Sequence, residues 1–544
     1  MKLQRAAAFV LVLLLTFLTS CVNDSTQIPN GTNNSNNDYN IGENNSIPYS
    51  FTLMYCSNDT LDPYSAVTRI NQELTGLLFD PLIKLDEEFN PVYMLANEIT
   101  LSGTSCVITL KNVSFSDGSA LTAEDVTYSI NKAKESQTRY RQQLENIVSY
   151  SAANSNTVSL KLNRYDPYFI NLLDFPIIKR NSDTRKSADN IPLPPIGCGR
   201  YIFDTENKLL YANPSYHNGS VSIKQINLIN TPDTEALKHN IEVGSVSIYY
   251  TDLSDNALPK MTGKIRTVQL NNLVYIGVNA TNKLLSQPQL RQAISAAINR
   301  ADVCEKIYFG NASPARGPFN SAWKEAKEVQ TIDIKHNIDI SVANLGQIGY
   351  NNKDNDGYFI DNKGKRLSLT LLCNSDNSAR VSLANLLSQQ LKVAGIELKV
   401  KAVNWDLYIN TLKSGKFDLY IGEVRFLNNM DITQLVTPGG SAAYGIPEQQ
   451  MPENASEPSS ADNTVSDGNT SDVATISQPT YKVLQSFYEG NATLSQVVIK
   501  FIEELPVIPI CHRCGLVTYS QRINPGPKST LSDIFFGIED CLIH

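Results

Sequence analysis

Apolar positions along this chain alternate between two rhythms, a period of two and a period near 3.6, and the switches between them outline its elements. Cys106 to Leu110 and Val113 to Phe115 are apolar runs parted by Lys111-Asn112, which predicts two strand pieces, and Ser116-Asp117-Gly118-Ser119 predicts a turn. Thr122 and Asp125 stand three apart ahead of a periodic run, as in a capping box with Asp in place of Glu, and predict a helix over 123–135. Leu273 to Val278 has the composition of a buried strand. After Pro288, the stripe Leu290, Ala293, Ile294, Ala297 and Ile298 predicts a helix, and Asp302 is placed to cap a second one carrying Val303 and Ile307. Leu383, Leu386, Leu387, Leu391 and Ala394 form a helical stripe closed by Gly395. Ile396, Leu398 and Val400 then alternate with charged residues as in a half-exposed strand. Asn404 is placed to cap a helix bearing Trp405, Tyr408, Ile409 and Leu412, closed by Gly415, and 417–424 returns as a strand. Helix and strand in alternation predict an α/β fold around a sheet.

Three stretches follow neither rhythm. Lys2 and Arg5 precede an uncharged apolar run over 6–18, followed by Leu18-Thr19-Ser20-Cys21. This reads as a secretory signal over 1–20, and the apolar run is short of the ~20 residues that span a bilayer. A cysteine directly after Leu-Thr-Ser resembles the bacterial lipobox, which implies lipidation at Cys21 and anchoring to the outer face of the cytoplasmic membrane or within the periplasmic space. Residues 21–48 are rich in Asn, Ser and Thr and read as a flexible tether. Residues 447–479 have almost no large apolar side chain and read as a disordered surface insertion.

Composition narrows the function. With 42% hydrophobic and 18% charged residues over 544 positions, the chain has room for two or three ordinary globular domains. A formal charge of -8 without basic clusters argues against a nucleic-acid partner. Nine cysteines are scattered too widely for a disulfide scaffold. No phosphate loop, His-Glu-x-x-His or Gly-x-Ser-x-Gly is present, which favours binding over catalysis.

Several segments, in order, resemble one family. They include TLDPYSA at Thr60, GLLFDPLIKLDEEFNPVYMLA at Gly76, VSFSDGSALTAEDVTYSINKA at Val113 and IGCGRYIF at Ile196. NPSYHNG at Asn213, IGVNAT at Ile276, LRQAISAAINRADVCEKIYFGNASPARGP at Leu290 and GKFDLYIGEV at Gly415 continue the series. Together these are similar to the peptide- and nickel-type solute-binding proteins of ABC importers, with Arg200 where that family usually has proline. The resemblance implies an α/β, two-lobed periplasmic-binding-protein-like fold, with an extra domain inserted in the first lobe and the ligand cleft between lobes. On that pattern 49–77, 195–268 and 500–544 form the first lobe, 78–194 the inserted domain and 269–499 the second lobe. The expected partners are an oligopeptide ligand, the transmembrane subunits of an ABC permease and, through the N-terminal lipid, a membrane; the protein is expected to act as a monomer, without cofactor, metal or enzymatic activity. A surface peptide sensor uncoupled from import, or a binder of a nickel complex or a sugar, would use the same fold.

The resemblance also nominates contacts. Asp431, a few residues past the Asp418 strand, matches a position that pairs with a ligand's α-amino group. Glu423 and Arg425 replace the family's common Gly-Trp, and strand alternation puts both on one face. Arg425 could grip a ligand carboxylate, or the two could belong to a structural ion-pair network. Asn279 falls at the lobe crossover. Trp405 and Tyr408 form an aromatic pair at helical spacing, which suits core as well as pocket. Two further motifs invite other chemistry. Cys511-His512-Arg513-Cys514 has the spacing of a redox pair or half a zinc site. Asn352 to Gly357 opens like a calcium loop, but Lys363 stands where calcium needs a bidentate Glu.

Overall fold

The computed structural model of the chain describes residues 50–253, 262–329, 334–448 and 478–544. The predicted signal, Cys21, the tether and nearly all of the 447–479 insertion lie outside the described residues.

Two long strands organise the described chain. Lys264–Val278 and Val507–Tyr519 pair antiparallel along most of their length. They sit inside a sheet whose other members are Ile248–Thr251, Leu419–Arg425, Ser368–Asn374 and Glu397–Val403, with the short Ala312–Pro314 also against Val507–Tyr519. Ser368–Asn374 runs parallel to both of its neighbours. Ile248–Thr251 joins at the Leu516-to-Tyr519 end of the pair, whereas Leu419–Arg425 joins at the Asn272-to-Val278 end. The long strands thus take different neighbours at their two ends, and at all but the last position of Val507–Tyr519 the residues are buried.

Two further sheets complete the α/β fold. Thr52–Tyr55, Gln225–Asn230, Leu209–Ala212 and Tyr201–Asp204 form one, with only the first pair parallel. Ala96–Ser102, Ser105–Leu110, Thr157–Leu162 and Ile147–Asn154 form an antiparallel sheet that packs against the helix Ala123–Glu135. That helix occupies its predicted span. The Thr122 backbone N–H and hydroxyl both donate to Asp125, at 2.9 and 2.7 Å, so the shorter Asp closes the box as Glu would.

Other elements follow the periodicity with local differences. Pro288–Ala297 and Ser378–Val393 are helices, and Gly395 takes φ +79°, which favours glycine after a helix end. The Asn404 side chain accepts from Leu407 N at 3.0 Å and starts the helix Trp405–Lys413. The helix Arg300–Lys306 is capped by Asn299, whose side chain accepts from Asp302 N at 3.2 Å; Asp302 is in its first turn and is not the cap. Residues 113–115 do not form a strand, because the Ser116 to Ser119 turn leaves only an isolated bridge from Ser114 to Ala120. In IGCGRYIF, Gly197 and Gly199 press against the end of the helix Arg69–Leu78: a Cβ at Gly197 would lie 2.1 Å from the Leu78 carbonyl oxygen, and one at Gly199 2.4 Å from the Leu78 carbonyl carbon. No helix among the described residues is long and apolar enough to cross a membrane.

Candidate functional site

A cavity of about 360 Å³ opens where distant parts of the chain meet, within the range of small-ligand sites. The helix Arg69–Leu78 contributes Arg69 and Glu73, the short helix Arg139–Gln143 contributes Arg139 and Tyr140, and the strand Leu419–Arg425 contributes its last residue. Tyr250 and Asp252, from and just after the strand Ile248–Thr251, complete that wall. An adjoining cavity of about 410 Å³ shares Arg69, Glu73, Tyr250 and Asp252 and continues along apolar side chains such as Leu53, Ile70 and Leu237.

Three arginines face the first cavity in different electrostatic circumstances. Arg69 is held by Glu73 at 2.9 Å and Asp252 at 3.0 Å, and its guanidinium lies 4.5 Å from the centre of the Tyr250 ring. Arg139 lies over Tyr140 at 5.0 Å and feels the charge of Asp174. Arg425 has no carboxylate in ion-pair contact among the described residues. Its side chain is reachable by water yet flanked by protein, and desolvation, with Arg139 and Arg69 nearby, disfavours its charged form. Glu73 is enclosed on the cavity wall, and burial pushes its carboxyl up to about 7 despite the opposing pull of Arg69.

Beneath this cavity lies a buried ionic floor in which every charge is paired. Lys84 bridges Asp80 and Asp533, each at 2.9 Å. Arg200 reaches Asp533 at 2.5 Å and Glu539 at 3.2 Å, and donates to the carbonyls of Gly76 and Phe535 at 2.8 Å. His217 Nε2 meets Asp80 at 2.7 Å. The cations around Asp80 hold its carboxyl well below the usual range. Arg200, at the family's proline position, therefore ties Gly76, on the helix carrying Arg69 and Glu73, to the C-terminal segment.

The structure separates the nominated residues. Only Arg425 lines the cavity. Glu423 belongs to an ion-pair network: it pairs with Arg380 and with Arg513 Nε at 2.8 Å, and accepts from Asn272 at 2.9 Å. The carboxylate of Asp431 pairs with Arg164 and accepts from Thr433 N at 2.8 Å, while Arg164 stacks 3.9 Å from the Tyr488 ring centre. A ligand ammonium would have to displace Arg164 to use it. Asn279 is buried and donates to the carbonyls of Gly415 and Phe417 at 3.0 and 2.8 Å. Trp405 and Tyr408 stack at 5.6 Å, but Trp405 faces solvent and the Tyr408 hydroxyl donates to the Ile421 carbonyl at 2.7 Å. Sequence reasoning missed Arg69, Glu73 and Arg139. Nothing local marked them: the helix Arg139–Gln143 carries a second arginine, Arg141, and nothing in either segment says that the helices converge.

The other motifs resolve into structure. Cys511 and Cys514 are three apart on one strand and so face opposite sides. Cys511 lies beside Cys304, whereas Cys514 lies 3.8 Å from Gln269 Oε1. Burial pushes Cys514 up to about 11 and Cys511 higher still, the opposite of a reactive thiolate. In the calcium-like loop, Arg366 occupies the acidic centre, bridging Asp354 at 2.6 Å, Asp356 at 2.5 Å and Glu397 at 3.0 Å.

Comparison with known proteins places this geometry in a class. The model of the bacterial extracellular solute-binding proteins, family 5 middle, matches residues 90–461. The chain is 26% identical over 441 residues to the oligopeptide-binding protein AppA of Bacillus subtilis (strain 168), covering 75% of this chain and 78% of that one. Its fold is similar to the unliganded open form of the periplasmic murein tripeptide-binding protein MppA, with a TM-score of 0.69 and 18% identity over 91% of this chain and 97% of that one. It is equally similar, at a TM-score of 0.69 and 17% identity over 90% and 99% of the two chains, to a nickel ABC transporter protein from Bacillus halodurans. The chain belongs to the family 5 extracellular solute-binding proteins of ABC importers, which are binding proteins rather than enzymes.

Proposed function

We propose that this protein captures an oligopeptide in the cavity between its lobes and delivers it to the transmembrane subunits of an ABC importer. The observation that carries this reading is the cavity of about 360 Å³, whose wall joins Arg69, Glu73 and Asp252, Arg139 and Tyr140, and Arg425 from segments far apart in sequence, with the 410 Å³ cavity adjoining it. A site assembled in this way couples occupancy to the relative position of its walls, and a ligand that bridges them favours the closed arrangement. The polar groups of the first cavity suit a peptide's charged ends, and the apolar wall of the second suits a side chain. The oligopeptide-binding relative supports the same ligand class. Arg425 is the ligand contact among the residues nominated from sequence. The lipobox-like Leu18-Thr19-Ser20-Cys21 supports a lipid anchor at Cys21, with 22–48 as slack and a monomer at work on the membrane's outer face.

Native mass spectrometry of the mature domain, beginning after Cys21 and purified gently from its host, tests the ligand class. Co-purifying masses that fragment as peptides are expected. A bound sugar or nickel complex would keep the family and overturn the peptide reading.

A further inference from the structure

We infer that the cavity is built for a ligand carrying a carboxylate, gripped by Arg425 with Arg139 and Arg69 alongside, so that acidic peptides are its preferred cargo. The inference rests on the peptide-binding reading above and adds the charge of the peptide.

Arg425 ends its strand at the cavity, without an ion-pair partner among the described residues. Its charged neighbours add to the demand for an anion. Arg139 and Arg69 repel it, and Asp252 attracts it only at longer range because Asp252 is engaged with Arg69. Asp174, also on the cavity wall, is turned elsewhere: it accepts from Asn428 at 2.7 Å and Ser532 at 3.1 Å, and burial raises its carboxyl above the ordinary range. A guanidinium offers a planar fork that matches a carboxylate with two parallel bonds. An incoming carboxylate would therefore relieve the repulsion among the arginines as well as form those bonds. Arg425 is open to solvent at the cavity, and the buried arginines do not share its lack of a partner. Arg200 and Arg513 are paired with carboxylates, and Arg291 is held by the backbone carbonyls of Glu504, Leu285 and Ser286.

The ligand carboxylate could be an acidic side chain or the peptide's C-terminus, and the test separates them. Isothermal titration calorimetry of the mature protein would use tetrapeptides of one length: an alanine peptide with a central Glu, its Gln counterpart, its Lys counterpart, and the Glu and Gln peptides amidated at the C-terminus. The Glu peptide is expected to bind about tenfold more tightly than the amidated Gln peptide, the size of one charge-assisted bidentate contact. Arg425→Gln should remove most of that preference, bringing the affinities of the Glu peptide and the amidated Gln peptide to within about twofold of each other. Arg425→Lys should restore only part, because it keeps the charge and loses the fork. If the side chain is the anchor, the Glu-to-Gln change carries the loss; if amidation alone carries it, the C-terminus is the anchor and the preference for acidic peptides is overturned. Thermal melting of the empty Arg425→Gln protein should show no loss of stability, since the residue has no partner to lose. Peptides binding without charge preference, or a preference that survives in Arg425→Gln, would overturn this inference and leave the peptide reading standing. No binding by any peptide of the series would overturn both.

Discussion

The cavity wall and the floor beneath it are both rich in charge, yet they are built on opposite terms. In the floor, Asp80, Lys84, Arg200, His217 and Asp533 interlock, and each cation has a carboxylate or carbonyl partner within about 3 Å. At the wall, Arg69 is balanced but Arg425 is not, and Glu73 is held on the edge of ionisation. Charges that stabilise a fold are complete without a guest. Charges that serve a ligand are left incomplete, and the cost of that imbalance is recovered on binding. The floor is what allows the wall to remain unbalanced, because it fixes the segments that carry the wall's side chains.

The sharpest way to break this contrast is to remove Arg200. Arg200→Met should cost about 3–5 kcal/mol of stability in urea unfolding, because Asp533 loses a buried partner and the Gly76 and Phe535 carbonyls lose their donors. Arg425→Gln should cost nothing by the same assay. Similar losses in both would mean that Arg425 is structural after all. A smaller effect is expected at Asp431, which lies between the two cases: its partner Arg164 is partly exposed and also stacks on Tyr488. Asp431→Asn should lower stability by about 1 kcal/mol or less and leave peptide affinity unchanged in calorimetry. A marked fall in affinity with unaltered stability would instead make Asp431 a ligand contact that Arg164 covers when the site is empty.

The elements were legible where the signal is local. The capping pair Thr122 and Asp125, the Asn404 cap and the glycine after Ser378–Val393 act within a few residues, and the fold obeys them. The family's ordered motifs carried the two-lobed fold. Of the residues nominated from sequence only Arg425 lines the cavity, where a residue departs from the family's pattern on a strand that the periodicity located. Alternation rightly paired Glu423 with Arg425 in register, but it could not show that Arg380 and Arg513, from other elements, claim Glu423. Asp431 was nominated by position, and its partner Arg164 lies 267 residues earlier in the chain. Arg69 and Arg139 could not be recognised for the same reason: a cavity wall is a property of how elements meet. The Cys511 and Cys514 spacing makes a reactive pair only on a helix or tight turn, and here it falls on an extended strand.

The smallest effect, and the one that sharpens the contrast most, is the pH dependence of binding. Glu73 faces Arg69 on its own helix, with Asp252 and Tyr250 on the neighbouring wall and Arg139 and Arg425 across the cavity. Its folded value of about 7 is raised from an ordinary 4.5, so in the empty protein it is partly protonated near neutrality and fully ionised only well above it. A carboxylate ligand beside the arginines would repel the ionised form and raise that value further, so binding should take up protons. Affinity for an acidic peptide should therefore be highest below pH 7 and fall severalfold as the pH rises from 6 to 8, while that for the amidated Gln peptide should change little. Glu73→Gln should flatten the profile at its low-pH level, because the neutral amide mimics the protonated acid and Asp252 still holds Arg69. Calorimetry in two buffers of different ionisation enthalpy would report the proton uptake directly. A flat wild-type profile, or affinity that rises with pH, would show that Glu73 does not sense the bound carboxylate and would place the anion away from the Arg69 wall, leaving Arg425 to act with Arg139 alone.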